Sequence, residues 1–162
     1  MLALLLVAGC GASAGAGGAD RPCTEIGAST GIAVDIAPRP AGPEAVTATV
    51  EACWGRTCRT APVELSLSTT AGPPTCTGNG QDDSCSAAMR YTGGKNGFAY
   101  IDDLPEQPVA VTLTVSGDGG TEIVRQELDI TAQPVYPNGP HCGAAGPQAR
   151  LHVDAAGNVR AR

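Results

Sequence analysis

The chain has 162 residues, a formal net charge of −6 and a sequence pI near 4.7. With one lysine (Lys95) and scattered arginines it lacks the clustered cations that neutralise phosphates, which excludes a nucleic-acid partner. The same acidity excludes electrostatic adsorption to anionic lipid, and Gly and Pro together exceed a fifth of the residues, which argues against a helical domain.

The first element is the apolar run Leu2 to Ala8, within MLALLLVAGC. It is far shorter than the roughly 20 residues that span a bilayer, and matches the lower end of a secretory h-region of roughly 7–15. Val7-Ala8-Gly9-Cys10 resembles the lipobox of bacterial lipoprotein precursors. That resemblance implies cleavage after Gly9 and a lipidated Cys10 as the mature N-terminus. Residues 1–9 are then a signal peptide, and because Met1 runs straight into leucines without a basic head, a start upstream is expected. Two acyl chains hold firmly where one does not, each buried CH₂ contributing about 0.8 kcal/mol. The implied location is the extracytoplasmic face of a bacterial cell membrane, with Cys10 as the membrane attachment. The alternative is an apolar N-terminus packed into the domain with Cys10 an incidental thiol. Against it stands the small-residue tract GASAGAGGA (11–19), which fits a flexible tether over residues 10–22.

From residue 23 the periodicity is that of strands, predicting one domain over 23–162. GIAVDIA turns Ile32, Val34 and Ile36 inward; AVTATVEAC does so with Val46, Ala48, Val50 and Ala52. VELSLST is expected as one strand with Val63, Leu65 and Leu67 inward. Residues 86–92 and 97–103 are two further candidates, followed by 109–115, whose Val109, Val111, Leu113 and Val115 share a face. Residues 122–131 and 149–155 complete the set, with SGDGG and AAGN as hairpin turns. About seven or eight short strands between Gly/Pro turns predict an all-β, antiparallel β-sandwich. The run GFAYIDDLPEQPVAVTLTV (97–115) resembles a segment of transthyretin-like and immunoglobulin-like surface modules, which implies a sandwich of one of those types.

Setting Cys10 aside leaves Cys23, Cys53, Cys58, Cys76, Cys85 and Cys142. An exported chain keeps such cysteines as disulfides, and six allow many connectivities. Spacing weights Cys53–Cys58 around WGRT, Cys76–Cys85 around TGNGQDDS, and Cys23–Cys142 as the long closure. A zinc site is disfavoured, because no C-x-x-C occurs and neither histidine lies at ligand spacing. Cys53 falls on the Thr47/Thr49/Glu51 face, opposite the apolar one, which disfavours an inter-sheet disulfide of immunoglobulin type.

Chemistry is thinly represented. Asp82-Asp83 and Asp102-Asp103 are adjacent pairs whose side chains diverge on a strand, and read as solvated loop acids. His141 reads as a loop residue beside its bridge, and His152 as an exposed residue on a polar strand face. No nucleophile elbow, P-loop or dinucleotide fingerprint is present, so the chain reads as a non-enzyme without cofactor or metal. The pointed feature is CWGRTC, where a stapled loop would present Trp54 and Arg56 with little freedom left to lose on binding. The expected function is a surface-interaction module for a protein or cell-envelope partner. The alternatives are an extracellular protease inhibitor with Arg56 as bait, and an accessory envelope hydrolase. Taken whole, the chain resembles small Cys-rich lipoproteins of actinobacteria, which implies location and fold class but no activity.

Overall fold

The computed structural model describes residues 22–39 and 42–162. The expected signal peptide (1–9), Cys10 and residues 11–21 of the expected tether lie outside the described residues.

Twelve strands form in chain order: β1 (Gly31–Ile36), β2 (Thr47–Trp54), β3 (Thr57–Val63), β4 (Ser66–Ala71), β5 (Thr75–Cys76), β6 (Cys85–Ser86), β7 (Met89–Tyr100), β8 (Pro108–Ser116), β9 (Glu122–Thr131), β10 (Gln133–Val135), β11 (Ala145–Val153) and β12 (Val159–Ala161). Ten of them build one curled sheet; β5 and β6 pair only with each other. β3-β2-β8-β9 makes an antiparallel layer, and β4-β7-β1-β11 makes the second, with β10 and β12 both on the outer edge of β11. One ladder pairing links the layers, Val63 with Ala99. The protein is an all-β, disulfide-stapled sandwich, with more strands than alternation alone marks out. Its sheet is mixed rather than wholly antiparallel, because β1 and β11 run parallel.

Alternating residues supply the core. Ile32, Val34, Val50, Ala52, Val109, Val111, Leu113, Leu151 and Val153 are wholly buried, and no buried residue among those described is polar. β-branched side chains suit this setting, since they pack across a pleated surface with little rotamer freedom to lose. The core is purely aliphatic. Trp54, Tyr91, Phe98, Tyr100 and Tyr136 all lie outside it, with only Trp54 packed against its rim.

The chain crosses between layers at residues 64–65, which splits the strand expected over 63–69. Val63 closes β3 in one layer and Ser66 opens β4 in the other. Gly97 permits the crossing, because a Cβ there would stand 2.5 Å from the Glu64 carbonyl oxygen. Leu65 is half-buried, but Leu67 is exposed, contrary to expectation, since β4 runs past the end of the opposing layer. Val46 is also exposed: it precedes β2 and donates its N–H to Ser116, while Ala45 takes the buried place. The candidates at 86–92 and 97–103 are joined by one long strand, β7, which takes in 89–100 and leaves Ser86 in β6 and residues 101–103 in the following turn; its first residues pair with β4 alone. The resulting ribbon carries no buried residue between 64 and 93 and exposes Met89 and Tyr91.

On the opposite side the seam between β9 and β12 is closed by a side chain. Gln126 points inward, donates from Nε2 to the Val159 carbonyl (3.0 Å) and accepts the Val159 N–H at Oε1 (2.9 Å). Its amide thus replaces a peptide group of a missing ladder. The β11–β12 turn is held by Asp154, which accepts the N–H groups of Ala156 and Asn158 and the Asn158 side-chain amide. The side-chain amide is foremost among the donors that hold the Asp154 carboxyl below its ordinary pKa.

Candidate functional site

The six cysteines join as Cys23–Cys142, Cys53–Cys58 and Cys76–Cys85. The two short bridges link residues directly opposite one another, in β2–β3 and in β5–β6. The long one fastens the entering chain to the segment after β10. Asn138 reinforces it by clasping Ile26, accepting its N–H and donating to its carbonyl, both at 2.9 Å.

Trp54 and Thr57 pair across the CWGRTC hairpin, leaving Gly55-Arg56 as a two-residue turn with Gly55 at φ +58°. A glycine with positive φ at the first central position fits a type II′ turn. Trp54 folds back against the core rim, and Arg56 is exposed at the tip. The hairpin lies at the end of the sandwich where the chain enters. Arg59 on β3 pairs with Asp103 in the loop after β7 at 2.8 Å, and Ile101 in that loop bonds to the Thr30 carbonyl. The exposed β4–β7 ribbon and the Asp154 turn lie at the other end, beyond the last β1 pairings of Ile36 with Lys95 and Val153.

The remaining chemical candidates serve the loops that hold them. Asp83 accepts from the Gly80 N–H and the Thr77 hydroxyl, and Asp103 is the partner of Arg59. Asp82 and Asp102 are solvent-exposed, as is His141. Glu51, Cys53 and Cys58 cluster closely enough to suggest a metal, but their two sulfurs are bonded to each other and offer no thiolate. A cavity of about 230 Å³ at the ribbon end is lined by Arg39, Lys95 and Glu44, the last two ion-paired at 2.9 Å.

A more developed surface lies on the outer face of β7, β1 and β11. Phe98 and Tyr100 point outward from β7, because Gly97, Ala99 and Ile101 take the inward places. Their rings meet edge-on with centroids 5.0 Å apart. Small residues face them on β1: Ala33 opposes Phe98 and Gly31 opposes Tyr100. The space this leaves is an open groove of about 360 Å³ whose walls include Asn96, Glu64, Ser66 and Arg150. Asp35 accepts from Arg150 at 2.9 Å across its floor.

His152 continues the row outward, opposite Asp35 on β1 and Arg160 on β12. It is half-buried rather than exposed, because β12 covers its flank, and Nδ1 has no partner among the described residues. Desolvation, then the positive charges of Arg162 and Arg160, pull its pKa below the ordinary histidine value, against the pull of Asp35 and Asp154. Sequence reading did not single out this surface. The alternation in GFAY carried the signal, since two aromatics share one face while small and aliphatic residues take the other.

No protein-family model, curated protein or solved structure matches the chain.

Proposed function

We propose that the chain is a lipid-anchored, extracytoplasmic binding module that holds a cell-envelope partner on the Phe98–Tyr100 face and performs no catalysis. The observation that carries this reading is where the aromatics lie. The core is filled with Ala, Val, Ile and Leu, while a paired Phe and Tyr stand on an open sheet face beside an ion pair. Aromatic area with a few placed polar groups is the composition of binding surfaces.

Anchoring through Cys10 is supported by the VAGC motif and by the pairing of the other six cysteines among themselves. Three disulfides also fit an oxidising compartment. With the tether entering beside Cys23, the CWGRTC end would sit nearest the membrane. The protease-inhibitor reading has less support, because Arg56 occupies a tight reverse turn and not the extended segment that a protease cleft accommodates. The hydrolase reading has less support, because Asp35, one of the two carboxylates lining the aromatic groove, is ion-paired with Arg150.

Fractionation of expressing cells tests the anchor. Wild type is expected in the membrane fraction, and Cys10→Ala in the soluble extracytoplasmic fraction. Retention of Cys10→Ala at the membrane would refute lipidation as the attachment.

A further inference from the structure

The outer faces of β11 and β12 add a second chemical character to the aromatic groove. Arg150 and His152 alternate with buried Leu151 and Val153, so both point outward. Arg160 opposes His152 across the β11–β12 pair, and the Arg162 N–H bonds to the Arg150 carbonyl. Arg150, Arg160 and Arg162, three of the chain's nine arginines, therefore share one side of a single hairpin.

This concentration is unusual in a chain of net charge −6. Asp35 is the only carboxylate on the outer faces of β1, β11 and β12, and it is already bonded to Arg150. The Asp154 carboxylate is occupied within its own turn. Arg160 and Arg162 have no carboxylate partner among the described residues. The His152 pKa is lowered first by desolvation and then by the charges of Arg162 and Arg160, against the opposing pull of Asp35 and Asp154.

The aromatic pair and the arginines are contiguous. Phe98, Ala33 and Arg150 lie in one cross-strand row, and Arg162, directly after β12, extends that row. Three strand spacings separate the rings from Arg162, roughly 14 Å at about 4.8 Å each. A ligand crossing the strands would thus meet flat apolar rings first and cations next, with Asn96, Glu64 and Ser66 as hydrogen-bonding groups along the near wall.

We infer that this face binds an anionic glycan: a polysaccharide whose rings lie against Phe98 and Tyr100 and whose carboxylate or phosphodiester groups reach Arg150, Arg160 and Arg162. The inference rests on the binding-face reading above and adds the ligand's class. Sugar rings present apolar C–H faces to an aromatic and hydroxyls to Asn96, Glu64 and Ser66. A guanidinium is suited to oxyanions through its planar fork of donors. A bare polyanion would leave the rings and the near wall unused; a neutral glycan would leave the arginines unused. An anionic bilayer would meet repulsion from the rest of this acidic chain.

The test is binding of the full oxidised chain to four probes in dilute buffer: polygalacturonate, dextran, inorganic polyphosphate, and phosphatidylglycerol vesicles. Polygalacturonate is expected to bind about tenfold more tightly than dextran or polyphosphate, with vesicles unbound. Arg160→Gln with Arg162→Gln should weaken polygalacturonate about tenfold and flatten its salt dependence. Phe98→Ala should weaken polygalacturonate and dextran alike. Both variants alter outward-facing side chains, and an unchanged thermal midpoint of the arginine variant separates lost binding from lost folding. Equal binding of dextran, unaffected by the arginine substitutions, would overturn the charge inference while leaving the aromatic binding face intact. Equal or tighter binding of polyphosphate or vesicles would overturn the glycan. If no probe binds, the glycan inference fails, and cross-linking from Tyr100 on cells decides separately whether the face binds anything.

Discussion

Replacing Gln126 by alanine should open the sandwich along one seam. Two hydrogen bonds, at 3.0 and 2.9 Å, join its amide to both backbone groups of Val159, and they are partly shielded from water. Each contributes about 0.5–1.5 kcal/mol net, and removing the amide also leaves a Val159 N–H and C=O short of partners. The expected loss is therefore about 2 kcal/mol, read from urea unfolding with an unchanged m-value. Amide exchange should show the loss locally, with Val159 protection falling before that of Val50 or Leu113. Gln126→Glu sharpens the test. The carboxylate can still accept the Val159 N–H but confronts the Val159 carbonyl, so at pH 7 this variant should be less stable than Gln126→Ala. That repulsion raises the folded-state pKa of the new carboxyl, so its stability recovers as the pH falls and the protonated group donates to the carbonyl. If Gln126→Ala unfolds within about 0.5 kcal/mol of wild type with Val159 exchange unchanged, the seam is not held by this side chain.

The disulfides should rank by the loop each closes. Replacing Cys23 and Cys142 with serine opens a sequence separation of 119 residues and should cost about 5 kcal/mol; opening the five-residue separation of Cys53 and Cys58 should cost about 2 kcal/mol. Chemical unfolding of the two double variants checks the order, and equal losses would refute the chain-entropy argument. His152 has a folded-state pKa below the ordinary histidine value of 6.5, so the folded protein binds fewer protons than the unfolded chain just below that pH. Its contribution is complete above pH 6.5 and declines as the pH falls toward the folded pKa. Arg160→Gln should raise the His152 pKa in an NMR titration, and an unmoved titration would mean that Arg160 is not felt at the ring. Gly97→Ala should destabilise by about 2 kcal/mol or more, because its Cβ would meet the Glu64 carbonyl at 2.5 Å; a neutral change would show that the layer crossing is looser than described. Arg56→Ala should leave both stability and envelope binding unchanged, checked by thermal melting and cell-surface retention.

Alternation made much of this fold legible. Ile32, Val34 and Ile36 in β1 and Val109 to Val115 in β8 face the core as their spacing implies. What alternation cannot carry is the extent of the layer opposite. Leu67 lies in register with Lys95, whose other neighbour is the buried Ile36, yet Leu67 stands beyond the packed layer. Val46 fails for a related reason, since it lies one step before its strand begins. β10 and β12 are three residues each, too short for any period, and form because β11 offers an edge to both. The parallel β1–β11 pairing joins residues more than a hundred positions apart, and neither strand's composition marks its partner.

The same logic separates what was readable at the candidate sites. Cys53 and Cys58 announce a stapled hairpin by proximity, but the resting place of Trp54 depends on the core rim beneath it. The shared face of Phe98 and Tyr100 is implied by the alternation in GFAY, a signal the sequence reading passed over, whereas the arginine cluster depends on β12 folding back beside β11. His152 was placed on the correct face; its burial comes from that same three-residue strand.

Photo-cross-linking on intact cells tests the binding face most directly, with a photoreactive amino acid placed at Tyr100 in one protein and at Arg56 in another. The account predicts adducts with an envelope macromolecule from position 100 that disappear in the Phe98→Ala background, and none from position 56. Adducts from position 56 with none from position 100 would contradict it.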